Sequence, residues 1–220
     1  MKFNKLFSYV ILIIFTSSFV VKAQQLQNKA APMPLDILFG NNRVQLQLTM
    51  NKAISENGKF VYFNAIIGAT DYKNTKSENE SIIINWFGYK LSKNFSLNAG
   101  AQLHFIKGLV PQFGARYSYA DRKWLVLLSP SYFISKTHNV DVTTIIQFRP
   151  PINEKLNLYT HLEGKYEYNL TQNGHDRSFF NWRLGLMYKK YAFGAGSNLD
   201  WYGPLKVSKQ NYGIFGMINL

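Results

Sequence analysis

No cysteine occurs in the 220 residues. That single absence excludes a disulfide framework, a thiolate metal site and a lipid-modified N-terminal cysteine. Acidic charge is also scarce, with 12 Asp and Glu against 25 Lys and Arg. Past the N-terminal segment, no apolar run approaches the roughly 20 residues that a spanning helix needs. The four histidines are scattered, His104 and His161 stand alone, and no carboxylate-rich loop accompanies them, so no metal and no cofactor is expected. Gly194 and Gly196 lack the Lys-Ser/Thr and the helix of a phosphate-binding loop and read as strand glycines.

The one long apolar run is N-terminal. Lys2 and Lys5 precede an apolar stretch over 6–21, and Val21-Lys22-Ala23 places small residues where a signal peptidase cuts. Residues 1–23 are therefore expected to be a cleaved signal peptide, and 24–34, broken by Pro32 and Pro34, a periplasmic lead-in. Processing leaves 22 basic against 12 acidic residues. Such an excess would ordinarily suggest nucleic acid, but no recognition motif accompanies it. Lys93, Lys107, Lys123, Lys155, Lys189 and Lys190 instead fall at expected turns, where rim charge meets lipid head groups.

What the chain has in quantity is alternation. Over 156–168, Leu156, Leu158, Leu162, Tyr166 and Tyr168 share one side of an extended chain, while His161, Glu163, Lys165 and Glu167 share the other. One face wants an apolar medium and the other water. Strands are expected at 43–50, 59–70, 82–91, 95–106, 109–120, 124–135, 140–149, 156–168, 179–188, 191–201 and 211–220, with a short first strand at 35–39. The expected fold class is all-β: a transmembrane, antiparallel, up-and-down barrel over 35–220 of about 12 strands, or 10 if weak N-terminal segments do not span. Counted back from a periplasmic C-terminus, the longer connectors 71–81, 171–178 and 202–210 fall outside, although 51–58 is long for an inner turn and Lys107-Gly108 short for an outer loop. Interface aromatics then form two girdles: Tyr117, Tyr119, Trp124, Tyr188 and Tyr191 at the periplasmic edge, and Tyr132, Tyr166, Tyr168, Trp182 and Trp201 at the outer edge.

The segments LSKNFSLNAGAQLHF (91–105), PINEKLNLYTHLEGKYEY (151–168) and LGLMYKKYAFGAG (184–196) resemble the small outer-membrane β-barrel proteins of Bacteroidota. The resemblance implies an outer-membrane location, lipid as the surrounding partner, and a last strand read by the barrel-assembly machinery. Tyr212, Ile214, Ile218 and Leu220 supply that strand's alternation, with Gly216 interrupting it and Leu220 where such proteins usually end in an aromatic.

The polar face assigns Arg43, His104, Arg116, Asp141, Arg149, His161, Glu163, Lys165, Glu167, Arg183 and Asp200 to the lumen. Two readings fit so even a mixture of charge. It is an ion-paired plug, because unpaired buried charge is costly, or a constriction that filters small solutes. Strands 82–91 and 124–135 blur the pattern: Ile83 and Phe87, or Leu125 and Leu127, would be apolar on the inner face. Pro111 and Pro130 favour an irregular register there over an apolar lumen patch.

Enzymatic alternatives are thin. His175 and Ser178 in the string GHDRS fall in an expected outer loop, without the strand context of a membrane phospholipase. His138 with Asp141, and His175 with Asp176, are the only pairs that an omptin-type protease could use at the outer rim. The function expected is a non-enzymatic outer-membrane barrel, either a narrow passive pore for small solutes or a structural and interaction component that binds other proteins. The alternatives are a rim-active hydrolase and a carrier of lipid or small ligand.

Overall fold

A computed structural model describes residues 32–76 and 78–220. The expected signal peptide, and the lead-in up to residue 31, lie outside the described residues. Twelve strands follow one another: β1 (Pro34–Gly40), β2 (Arg43–Ala53), β3 (Phe60–Asp71), β4 (Glu80–Lys90), β5 (Phe95–His104), β6 (Gly108–Ala120), β7 (Trp124–Phe133), β8 (Asn139–Phe148), β9 (Leu156–Asn169), β10 (Gly174–Tyr188), β11 (Tyr191–Tyr202) and β12 (Val207–Asn219). Each pairs antiparallel with its sequence neighbours, and β1 pairs with β12 from Pro34↔Asn219 to Gly40↔Gly213, closing the barrel. Closure leaves every described strand with a neighbour on both sides, which is what allows strands to cross lipid.

Alternation decides which way each residue points. On β12 Tyr212 and Ile214 are exposed outward while Asn211, Phe215 and Met217 are buried inward. On β5 Leu97 and Leu103 face out while Ser96, Asn98 and Gln102 face in. The outer surface is accordingly apolar, with Phe39, Phe87, Leu109, Phe113, Leu184 and Phe193 each at least half exposed. This is a lipid-facing belt. One polar group within it is satisfied internally: Tyr62 Oη donates to Asn85 Oδ1 at 2.6 Å, and Asn64 Nδ2 donates to the same oxygen at 2.9 Å.

The seam between first and last strands is tied by a side chain. Asn211 Oδ1 accepts from the backbone N–H groups of Asn42 and Arg43, each at 3.1 Å, and Asn211 Nδ2 donates to the Arg43 carbonyl. Gly40 makes this possible, since a Cβ there would lie 2.0 Å from Asn211 Oδ1. At the end of the barrel where β1 begins and β12 ends, the terminal end, Leu38, Tyr159, Met187, Ala192, Phe215 and Met217 form an apolar cluster inside the barrel. The Tyr159 and Phe215 rings lie 5.6 Å apart.

Three expectations need correction. First, β10 begins at Gly174, so GHDRS is strand and not outer loop. Its start is hidden because the pairing with β9 shifts register between His175 and Arg177, a β-bulge that breaks the two-residue period. Second, Leu125 and Leu127 do face inward, yet β7 keeps one register against both neighbours. Ile83 and Phe87 point out, while Ile82, Ile84 and Trp86 point in. The apolar patch is therefore real, and the inferred irregularity is not. Third, the connectors are short at both ends, from Asn41-Asn42 up to Tyr72–Asn79, so loop length does not distinguish the two ends.

Candidate functional site: the lumen

Two ion-pair networks bridge the lumen near the end opposite the start of β1 and the close of β12, the far mouth. Asn211 fixes the backbone of Arg43, whose Nη2 then reaches Asp200 Oδ2 on β11 at 2.5 Å and whose Nη1 reaches Glu80 Oε1 on β4 at 3.2 Å. Arg177 Nη2 on β10 meets Glu80 Oε2 at 2.9 Å and Asp200 Oδ1 at 3.0 Å. The Tyr202 hydroxyl donates to Glu80 at 2.5 Å. In a ring of twelve, β4 and β10 are diametrically opposite. The Glu80–Arg177 pair is therefore a bar across the lumen.

The bulge builds the second network beside the first. Because the register shifts at Asp176, this residue and Arg177 both turn inward. Asp176 Oδ2 accepts from Lys107 Nζ at 2.6 Å, from the β5–β6 turn, and from Asn139 Nδ2 at 2.8 Å. Lys107 also lies 3.6 Å from Glu167, which meets Lys165 at 2.8 Å, and Lys165 meets Asp141 at 3.1 Å. Ser131 donates to Asp141. Adjacent residues of opposite charge thus anchor two crossings to different walls.

Deeper in, polar contacts continue at mid-barrel. Gln47 on β2 donates to Glu163 on β9 at 3.2 Å, and His161 lies 3.4 Å from the same carboxylate. Asn198 donates to Gln45 at 2.5 Å. Arg183, 4% exposed, pairs with Asp36 on β1 at 3.0 Å and donates to Asn198 and to the Ser197 carbonyl.

The facing wall is different in kind. Phe63, Ile67, Ile82, Ile84, Trp86, Leu127, Phe133 and Ile145 line a void together with Arg116, Gln112, Glu163 and Lys165. This void shares Gln47, Ile67, Ile82, Glu163, Lys165 and Phe179 with a second void under the far mouth, bounded by Arg43, Arg177 and Asp200. It shares Thr49, Leu127 and Ile145 with a third that reaches Pro34 and Asp36 at the terminal end. The three succeed one another along the barrel and share walls.

Of the residues assigned to the lumen from sequence, Arg43, Asp141, Glu163, Lys165, Glu167, Arg183 and Asp200 lie in these networks. His161 stands beside Glu163. Arg116 stands in the apolar wall. His104 ends β5, where Nδ1 accepts from the backbone N–H of Ile106 at 3.1 Å. Arg149 follows β8 at the terminal end, its N–H donating to the Lys123 carbonyl. Glu80, Asp176 and Arg177 were missed because the expected strands began too late. Lys107, Asp36 and Tyr202 were missed because their partners are distant in sequence. The aromatics sit on the outward face, with Tyr117, Tyr119, Trp124, Tyr188 and Tyr191 towards the terminal end and Tyr132, Tyr166, Tyr168 and Trp201 towards the far end. Trp182 is the exception: it pairs with Leu162 and Ser197 near the middle of β10, because that strand extends further than its pattern indicated.

The histidine pairs separate. His138 Nδ1 meets the Tyr132 hydroxyl at 2.6 Å, while Asp141 is held by Ser131 and Lys165. His175 faces away from Asp176. Its Nδ1 lies 2.7 Å from the Gly203 carbonyl, which can only accept, so Nδ1 donates there, and Nε2 lies 2.9 Å from Ser178 Oγ. This is a Ser–His contact, but the group orienting the imidazole is a backbone carbonyl and not a carboxylate. Among the described residues no cluster of three His, Asp or Glu is arranged to hold a metal ion.

No protein-family model matches the chain, and comparison with curated proteins finds no match. Among solved structures, the KdgM porin in complex with disordered oligogalacturonate aligns with a TM-score of 0.47 at 12% identity, covering 86% of this chain and 99% of the other. The NanC porin aligns with a TM-score of 0.48 at 12% identity, covering 87% and 100%. OccK2 (OpdF) of Pseudomonas aeruginosa, in complex with glucuronate, aligns at 0.38 and 10% identity, covering 77% of this chain and 63% of that one.

Proposed function

We propose that the protein is a narrow, non-enzymatic pore of a Gram-negative outer membrane that passes small solutes and is restricted at its outer mouth by ion pairs. The observation that carries this reading is the succession of three voids with shared walls from Arg43 and Asp200 to Pro34 and Asp36. What interrupts it is side chain: the Glu80–Arg177 and Lys107–Asp176 crossings and the Gln47–Glu163 contact. Side-chain rotamers interconvert far faster than backbone rearranges, so a side-chain barrier suits a small, fluctuating conductance. Residues 1–23 serve as the export signal in this reading, and the outward Tyr212, Ile214, Ile218 and Leu220 as the strand read during insertion. The far mouth then faces the cell exterior.

The test is single-channel recording of purified protein in a planar bilayer. Small discrete steps are expected from the wild type and larger ones from Glu80→Ala. Silence from both, with each protein running as a folded barrel on an unboiled gel, would refute the pore and leave a structural barrel.

A further inference from the structure

The Arg116 guanidinium is the one lumen cation that sits in the apolar wall, and among the described residues no carboxylate pairs with it. It lies 4.1 Å from the centroid of the Phe63 ring and 5.2 Å from that of Trp86, and Nε donates to Ser129 Oγ at 3.0 Å. A guanidinium has five N–H donors, so one hydroxyl leaves most of its capacity unused. Two further donors belong to side chains that line the same void and are orphaned. Trp86 Nε1 and Gln112 Nε2 are buried without any acceptor, in side chains only 5% and 3% exposed that line the same void. A buried polar group without a partner is costly, and an unpaired buried charge more so. Three side chains lining one void thus carry unfilled donors, which suits an acceptor that the chain does not itself supply.

We infer that this part of the lumen is a binding site for a small monocarboxylate with an apolar body. The carboxylate seats on Arg116, with Gln112 and Trp86 as neighbouring donors once the guanidinium moves onto it, and the body lies against Phe63, Ile82, Ile84 and Leu127. The other charges lining this void select for a single negative charge. Asp141 on β8 is held by Lys165 and Ser131, and Glu163 on β9 by Gln47 and His161. A second anionic group on the ligand would meet those carboxylates, and a sugar-like body would leave its hydroxyls unpaired against isoleucine and phenylalanine. The site rests on the lining alone and holds whether or not the lumen conducts.

Titration calorimetry on the folded protein in a non-ionic detergent, with phenylacetate as probe, tests it. Phenylacetate is expected to bind in the millimolar range or tighter. Its neutral amide, phenylacetamide, and the polar-bodied anion glucuronate are each expected to bind at least tenfold more weakly. Arg116→Gln is expected to weaken phenylacetate at least tenfold, as loss of a charged hydrogen bond does, and Arg116→Lys to restore part of that loss. Should Arg116→Gln fail to fold, Trp86→Phe and the comparison of the three probes on the wild type still decide. Absence of phenylacetate binding, equal binding by Arg116→Gln, or glucuronate binding as well as phenylacetate would each overturn the assignment. None of these readouts depends on channel activity, so failure here and failure of the pore reading are distinguishable.

Discussion

Glu80 neutralises two guanidinium groups at once, and removing it should alter both the width and the charge of the far mouth. With Glu80 gone, Arg43 and Arg177 share Asp200 alone, so this cluster changes from neutral to a net charge of +1. A unit charge about 5 Å from a passing ion, at an effective dielectric of about 20, is worth roughly 3 kcal/mol. Water reaches this level, since the Glu80 and Arg177 side chains are 11% and 18% exposed. Discounting for that screening leaves about 1–2 kcal/mol, or roughly a tenfold preference for anions over cations. The preference should be readable as a shifted reversal potential across a KCl gradient near 0.1 M, where the Debye length is about 10 Å, and should fade near 1 M, where it is about 3 Å. Two variants separate the causes. Glu80→Gln keeps the reach and loses the charge, so selectivity should move with little gain in conductance. Glu80→Ala loses both, so conductance should rise as well. Wild-type conductance and reversal potential in Glu80→Ala, measured at low salt on protein shown to be folded, would refute the claim that this bar limits the mouth.

Arg183→Ala should destabilise the barrel by about 3 kcal/mol by stranding Asp36, whose partner it is across two intervening strands; the gel-shift unfolding temperature should fall, and an unchanged value would count against a structural role for the pair. In the turn after β6, the Asp121 carboxylate accepts from the N–H groups of Trp124 and Lys123, which hold it below the usual carboxylate range. Its folded value lies below its unfolded one, so its contribution is present above the unfolded value and is lost as pH falls through the folded one; Asp121→Ala should therefore narrow the gap between neutral and acid unfolding temperatures. Ser178 is expected to stay unlabelled by a fluorophosphonate probe at neutral pH, because the imidazole beside it has no carboxylate to stabilise its charged form; stoichiometric labelling lost in Ser178→Ala would reinstate a hydrolase.

Most of the barrel was readable from residue order because a strand between lipid and water repeats every two residues, and ten of the twelve strands begin within two residues of where that pattern places them, β12 starting four residues early and β10 five. β10 is the instructive failure. Asp176 and Arg177 are neighbours that both face the lumen, which no two-residue period permits, so the segment read as loop. The lumen's charges were largely legible by parity, but their pairings were not. Glu80 and Arg177 are brought together by ring closure, a property of strand number and stagger and not of either strand's local sequence. The apolar wall announced itself through Leu125 and Leu127, and prolines nearby made a register fault the simpler reading. In β4 the run Ile82-Ile83-Ile84 is apolar on both faces, so parity there was set by Trp86 packing inward against Arg116 and by Asn85 finding Tyr62 and Asn64 outside.

The brevity of every connector has a consequence for how the molecule meets its surroundings. With no link between strands longer than Tyr72–Asn79, little peptide stands clear of the bilayer for a protease to nick, an antibody to grasp or a phage to adhere to. With the far mouth outward as proposed, a regulator arriving from the medium would have to act on the rim residues themselves, and an epitope spliced into that longest hairpin would be the least disruptive handle for tracking the protein on intact cells.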